Sequence, residues 1–298
     1  MTEHVICADA YEGLKTIEAA TIDTCVTSPP YYGLREYGVV GQVGAERTPE
    51  EYIKRLVNIF RQVYRVLRDD GTLWVIIGDS YATCSGGQPP TNTGNTQGHT
   101  KKRAPPGYKM KDLIGIPWML AFALRADGWY LRQDIIWNKP NCMPESVTDR
   151  CTKSHEYIFL LSKSPRYYYN AVAVREPVVS STVKRLSRDI YGQAGSNRAV
   201  NKTNGIMKAV GIVESGKNKR DVWTVPTAAY KGAHFATFPP NLINPCILAG
   251  SRPDGIVLDP FFGVGTTGVV AKSIGRGYIG IEINPQYVDM AKQRLGLE

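Results

Sequence analysis

Apolar and polar positions alternate along this chain in a way that separates strands from helices. Short apolar runs at 4–10 (HVICADA) and 22–27 (IDTCVT) read as buried strands, with Tyr11–Ala19 helical between them. A long helix is expected from about Pro49 to Leu67, because Thr48 followed three residues on by Glu51 has the form of a capping box. Asp69-Asp70-Gly71 predicts a turn into an apolar strand over Thr72–Gly78. Further on, a helix is expected over Ile116–Ala126, strands over Tyr130–Trp137 and Tyr157–Leu161, and a helix over Leu242–Ala249. The C-terminal part reads as strand Gly255–Asp259, helix Gly268–Ile274, strand Gly277–Glu282 and helix Pro285–Leu295. Strand, helix, strand in that repeating order predicts an α/β fold built on parallel βαβ units.

Two stretches break the pattern. Residues 84–109 are rich in Gly, Pro, Thr, Asn and Gln, and are expected to form a surface loop able to close over a substrate. Residues 165–222 are irregular and divide the chain into three parts, 1–164, 165–222 and 223–298. Charge changes the picture there. The whole chain of 298 residues carries a formal +9. Between Ser181 and Arg220 lie Lys184, Arg185, Arg188, Arg198, Lys202, Lys208, Lys217, Lys219 and Arg220, opposed by Asp189 and Glu214 alone. Most of the net charge therefore sits in one polar segment, which points to a polyanionic partner such as nucleic acid.

Other classes lose ground. No apolar run approaches the ~20 residues of a membrane span, and the first residues lack the basic and apolar regions of a secretory signal. The six cysteines are scattered without a C-x-x-C pair, so a disulfide framework or zinc knuckle is not expected and a reducing cytoplasm fits. His4, His99, His155 and His234 are isolated from one another, so no metal is expected.

Two corners carry candidate chemistry. Asp259-Pro260-Phe261-Phe262-Gly263-Val264-Gly265-Thr266 joins a strand to a helix. Gly263 and Gly265 let a ligand approach the backbone without a Cβ in the way. The helix beyond offers free N–H groups. Glu282, closing the next strand, is placed to accept hydrogen bonds from ribose hydroxyls. A dinucleotide-binding enzyme competes, but the spacing is F-x-G-x-G rather than G-x-G-x-x-G. The second corner is Ser28-Pro29-Pro30-Tyr31, following the strand at 22–27. Its prolines stiffen the chain and remove N–H donors. Acceptors remain at Ser28 Oγ and the Pro29 carbonyl, next to the aromatic face of Tyr31. That set suits a planar ring bearing an exocyclic amine.

Together these motifs resemble the amino-group DNA methyltransferases, in which S/D/N-P-P-Y/F is catalytic and F-x-G-x-G binds S-adenosylmethionine. The order, catalytic motif first and cofactor motif last with a basic insertion between, resembles the beta group. The resemblance implies a circularly permuted, Rossmann-like S-adenosylmethionine-dependent fold with 165–222 as target-recognition insertion. It implies catalytic roles for Ser28, Pro29, Pro30 and Tyr31. Cofactor contacts are implied for Asp9, Ala10, Phe238, Pro239, Asp259, Phe261, Gly263, Gly265, Thr266 and Glu282. Phe238 and Pro239 belong to His234–Pro240, which is similar to the family's segment beside the methionine end of the cofactor. Lys184, Arg185, Arg188, Arg198, Lys217, Lys219 and Arg220 are expected to meet DNA phosphates. Double-stranded DNA is the implied partner, reached by base flipping. A homodimer and a cognate restriction endonuclease are compatible partners, no membrane is involved, and the setting is the cytoplasm of a bacterial, archaeal or phage-infected cell.

In the family it resembles, serine at the first motif position goes with cytosine N4, so the resemblance implies that atom as the one methylated, with adenine N6 as the alternative. A catalytically inactive DNA-binding protein of the same fold is the reading from a different class. Cytosine C5 chemistry would need a cysteine nucleophile, and Pro245-Cys246 lies in an apolar helix away from a strand end. His155-Glu156 reads as structural, and Asp79 as either a pocket residue or the cap of a helix starting at Ser80.

Overall fold

A computed structural model of the protein describes residues 2–33, 41–82, 104–178, 216–227 and 238–297. Of the expected loop at 84–109, residues 84–103 lie outside these residues, as do Lys184, Arg185, Arg188, Arg198, Lys202, Lys208 and His234. The chain divides into two compact units, Met1–Tyr168 with Asp221–Glu298, and Tyr169–Arg220.

The larger unit is built on one eight-stranded sheet. Its strands are β1 (Glu3–Cys7), β2 (Ile22–Thr27), β3 (Leu67–Ile77), β4 (Tyr130–Asn138), β5 (His155–Ser162), β6 (Val222–Thr224), β7 (Ile256–Asp259) and β8 (Gly277–Glu282). Its helices are α1 (Ala10–Lys15), α2 (Pro49–Val66), α3 (Ile116–Ala126), α4 (Pro240–Gly250), α5 (Thr266–Ser273) and α6 (Pro285–Leu295). The strand order is β1-β8-β7-β2-β3-β5-β4-β6. The pairs β1–β8, β8–β7, β7–β2 and β2–β3 are parallel, whereas β5 runs antiparallel to both β3 and β4. Among the described residues, no helix is long and apolar enough to cross a membrane.

Both faces of the sheet are covered, which explains the continuous apolar runs of β2 and β3. In β3, Leu73, Val75 and Ile77 join a core with Leu56, Phe60 and Val63 of α2 and Leu120 of α3. Trp74 and Ile76, on the opposite face by the period of two, are equally buried. There α4 packs so closely that a Cβ on Gly250 would lie 2.6 Å from the hydroxyls of Thr24 and Thr72. Helix α2 has the predicted capping box, with Thr48 Oγ1 accepting from Glu51 N and the Glu51 carboxylate accepting from Thr48 N.

Three expectations need correction. The Asp69–Gly71 turn survives only as an irregularity inside β3, whose register against β2 jumps from Ile22↔Leu67 to Thr24↔Thr72. Arg252 holds that bulge by pairing with Asp70 and with the buried Asp23, at 3.0 Å from the latter. Helix α1 ends at Lys15 rather than Ala19. Val222, expected to close the irregular stretch, instead opens strand β6 beside β4, with Trp137 Nε1 donating to the Val225 carbonyl at 2.7 Å.

Candidate active site

Because β7 and β2 are parallel neighbours, with Thr24 opposite Val257 and Cys25 opposite Leu258, the glycine turn after β7 and the Ser-Pro-Pro-Tyr corner after β2 leave the same edge of the sheet. A buried carboxylate ties them together. Asp259 Oδ1 accepts from Thr27 Oγ1 at 2.6 Å and from Phe261 N at 3.0 Å, while Oδ2 accepts from Thr267 Oγ1 at 2.6 Å. Asp259 is 1% exposed, and burial, partly offset by these hydrogen bonds, pushes its carboxyl up to about 6. Its two oxygens are thus engaged inside the protein. It braces the corner that carries Ser28 against the turn that carries Gly263, a different role from the cofactor contact expected of it.

The glycine turn has a left-handed backbone, which glycine adopts readily. Gly263 has φ +52° and Gly265 φ +80°, the latter as the residue preceding α5. Glu282 secures the turn by accepting from Gly263 N at 2.8 Å on one oxygen and from Asn284 N at 2.9 Å on the other. Burial raises its carboxyl above the ordinary value, and each oxygen retains a lone pair for a further donor. Phe262 wedges beneath the turn, where a Cβ on Gly280 would fall 2.2 Å from its ring and one on Gly268 2.7 Å. Phe261 stays half-buried. Thr266 is 4% exposed, and its hydroxyl accepts from Arg294 Nη1 at 3.0 Å, so it serves the packing of α5 on α6. Asp9 and Ala10 lie just past β1, in register with β8 through Cys7↔Glu282. Asp9 accepts from Tyr11 N at 2.9 Å and stands 3.7 Å from Arg55 Nη2. Phe238 is half-buried and Pro239 buried at the start of α4. Gly265 is buried, and a Cβ there would meet Ala291 Cβ at 3.2 Å and Leu295 Cδ1 at 3.3 Å, so its missing side chain makes room for α6 rather than for the ligand approach expected there. Gly263, with the acids Glu282 and Asp9 at adjacent strand ends, fits a ribose-bearing ligand.

The Ser-Pro-Pro-Tyr corner is pinned from several sides. Tyr52 of α2 donates to the Pro30 carbonyl at 2.8 Å. Gly44, at φ +95°, passes so close that a Cβ there would meet the Tyr31 carbonyl at 2.9 Å. Pro29 is buried, while Ser28, Pro30 and Tyr31 are half-buried. The Tyr31 hydroxyl donates to Glu156 Oε2 at 2.7 Å, and Lys139 pairs with Glu156 Oε1. Lys139 Nζ also lies 4.2 Å from the centre of the Trp137 ring. Burial, reinforced by Glu156, raises the Tyr31 phenol well above its usual value, and a hydrogen bond with the Ser28 side chain acts the other way. Gly78, at the end of β3, makes room for this arrangement: a Cβ there would lie 2.8 Å from Tyr31 Cε2 and 3.1 Å from Glu156 Cδ.

Sequence reasoning missed Tyr52, Gly78, Lys139 and Glu156. Their only signals were a lone Trp-Asn-Lys and a His-Glu dipeptide, neither with a diagnostic spacing. The structure also decides between the two roles open for Asp79. Its carboxylate accepts from Gly115 N and Ile116 N, both at 3.0 Å, capping α3 from 36 residues away rather than a helix of its own. Its carbonyl accepts from Lys153 Nζ at 2.9 Å, and burial lowers that ammonium. Cys246 lies fully buried within α4. Among the described residues, no group of three or more His, Cys, Asp or Glu could hold a metal.

In the smaller unit, three residues expected to meet DNA converge on Glu176. Lys217 lies 3.6 Å from its carboxylate, Lys219 3.9 Å and Arg220 3.1 Å. Glu176 falls outside the 181–220 window in which the charge was counted, so these three cations are less free than their number implied.

The family described as DNA methylase matches residues 22–293 of this chain. The chain is 49% identical over 296 residues to the Type II methyltransferase M.SmaI of Serratia marcescens, covering 98% of this chain and 90% of that protein. It is 48% identical over 289 residues to the Type II methyltransferase M.Cfr9I of Citrobacter freundii, covering 96% and 85%. Among solved structures, the PvuII DNA methyltransferase (cytosine-N4-specific) superimposes with a TM-score of 0.66 at 18% identity, over 99% of this chain and 86% of that one. The M1.HpyAVI–SAM complex does so with a TM-score of 0.58 at 18% identity, over 99% and 100%. Motifs, shared edge and relatives agree, and the chain belongs to the N6/N4 family of S-adenosylmethionine-dependent DNA methylases.

Proposed function

We propose that this DNA methylase acts on the exocyclic N4 amine of cytosine in double-stranded DNA. The observation that carries the reading is the Thr27–Asp259 hydrogen bond, which locks the acceptor corner and the glycine turn to one edge of the sheet. Serine at position 28 is the form that the family resemblance links to cytosine N4.

The residues divide the work as follows. Gly263, Phe261, Glu282, Asp9 and Ala10 hold S-adenosylmethionine, with Phe238 and Pro239 in support. When bound, that cofactor supplies an electrophilic sulfonium methyl. Ser28 Oγ and the Pro29 carbonyl accept the two hydrogens of the amine. These bonds draw the nitrogen away from planarity and concentrate its lone pair, which is otherwise delocalised into the ring. Tyr31 stacks on the base, a contact worth roughly 1–3 kcal/mol. Positioning supplies most of the remainder. Ser28 is too weak a base to take the proton first, so the nitrogen sheds it after methylation. Such a pocket requires the base to leave the duplex. Basic residues of 181–220 hold the phosphates, and the enzyme works in the cytoplasm, as a homodimer and alongside a cognate endonuclease.

The test is digestion of methylated DNA to nucleosides and identification of the product by mass. N4-methylcytosine is expected. N6-methyladenine as the sole product overturns the choice of base.

A further inference from the structure

Three adjacent strands build a support for the Tyr31 ring. In the antiparallel pair of β4 and β5, Trp137 stands opposite Glu156. Lys139 N donates to the Ser154 carbonyl at 2.8 Å, so the pairing runs on past the end of β4. By the period of two, Lys139 shares the face of Trp137. Its Nζ lies 4.2 Å from the centre of that ring while it pairs with Glu156 Oε1. The site is sheltered: Trp137 is 4% exposed, and the Lys139 and Glu156 side chains 17% and 16%. On the other side of β5, Ile77 stands opposite Tyr157, which sets Gly78 beside Glu156. A side chain on Gly78 would fill the space through which the Tyr31 ring reaches that carboxylate, its hydroxyl donating to Oε2 at 2.7 Å.

Tyr31 is therefore held at both ends. Its backbone end is fixed by the Tyr52 hydroxyl on the Pro30 carbonyl and by the close passage of Gly44. Its phenol end is fixed by a strand-borne carboxylate, and a hydrogen bond to such a group is stronger than one to a neutral acceptor. Lys139 occupies the second oxygen, so the sheltered carboxylate is not left an unpaired charge. We propose that Glu156, kept in place by Lys139, is a positioning residue that sets the plane of the Tyr31 ring before the target base arrives. A ring free to swing gives up that freedom when a base stacks on it, which weakens the stack; a tethered ring has given it up on folding. The inference rests on the flipped-base reading above and extends the site to two residues outside the Ser-Pro-Pro-Tyr motif.

The experiment uses the full chain with S-adenosylhomocysteine, so that no methyl is transferred. It compares binding to a duplex carrying the mapped methylation site with binding to the same duplex lacking the target base. Glu156→Gln replaces one accepting oxygen by a donor, which must face either Lys139 or the phenol. Tyr31→Phe keeps the ring and removes the tether. Each is expected to lower the ratio of the two affinities by roughly three- to tenfold, because only the intact duplex offers a base to stack. The double variant is expected to fall no further than Tyr31→Phe alone, and Lys139→Arg, which keeps the cation, to retain the ratio. A merely structural role for Glu156 would weaken both duplexes alike and would add to the loss in the Tyr31→Phe background; either result overturns the proposal. Should Glu156→Gln fail to fold, an unchanged ratio in Tyr31→Phe overturns it equally. If wild type makes no N-methylated base, the functional reading falls and this inference with it. If it makes one and the ratio does not respond, only this inference falls.

Discussion

Removing the Thr27 hydroxyl tests whether Asp259 braces the two corners. Thr27→Val keeps the shape of the side chain and deletes one of three hydrogen bonds to a carboxylate that is 1% exposed. A hydrogen bond to a charged group contributes about 1.5–3 kcal/mol, and one to a neutral group about 0.5–1.5 kcal/mol. The Asp259 carboxyl titrates at about 6 in the folded protein, against an ordinary carboxylate value near 3.9. At pH 8 the bond meets an anion and its loss should cost about 2 kcal/mol. That corresponds to a fall of roughly 3 °C in Tm for a chain of this size. At pH 5 the carboxyl of the wild type is already protonated, so the cost should shrink to about 1 kcal/mol. The sign follows from linkage: the variant raises the folded pKa further, so its extra penalty appears as pH rises through that pKa. Urea titrations of both proteins at the two pH values measure the difference. Equal losses at pH 5 and pH 8, or a loss under 0.5 kcal/mol at pH 8, would refute the assignment.

Other perturbations have equally direct readouts. Gly280→Ala would drive a methyl into the Phe262 ring, 2.2 Å away; it should cost at least about 1–3 kcal/mol and weaken S-adenosylmethionine binding in calorimetry, and a neutral result would show that the wedge is not needed. Asp79→Ala strips the cap from α3 and should destabilise the protein by about 0.5–2 kcal/mol in thermal melts, unless another donor set replaces it. Glu176→Gln releases Lys217, Lys219 and Arg220 and should steepen the salt dependence of binding to non-cognate duplex by up to about 2 or 3 in log–log slope; fluorescence anisotropy showing no steepening would argue that these cations do not face phosphate.

Local patterns made the two corners legible. β2, β3, β7 and β8 announced themselves as apolar runs, the capping box of α2 needed only four residues, and both motifs sit at strand ends where open α/β sheets bind ligands. What escaped depends on distant partners. The reversal of β5 leaves no mark in its own composition, since a strand buried on both faces reads alike in either direction. The bulge at Asp69–Gly71 depends on Arg252, and the cap of α3 on Asp79, each far away in the chain. Glu156 looked structural because its role exists only once β5 has brought it to Tyr31.

The placement of β7 between β8 and β2 carries a consequence for synthesis. While the ribosome is still making the middle of the chain, β1 has no neighbour in the sheet and β2 waits with one edge bare. Neither the ligand cradle nor the brace on Thr27 can form until residues as far as Glu282 have emerged. Such long-range closure is slow to assemble and leaves a sticky border in the meantime. A nascent chain of this enzyme therefore cannot bring its two corners together before β8 has been made.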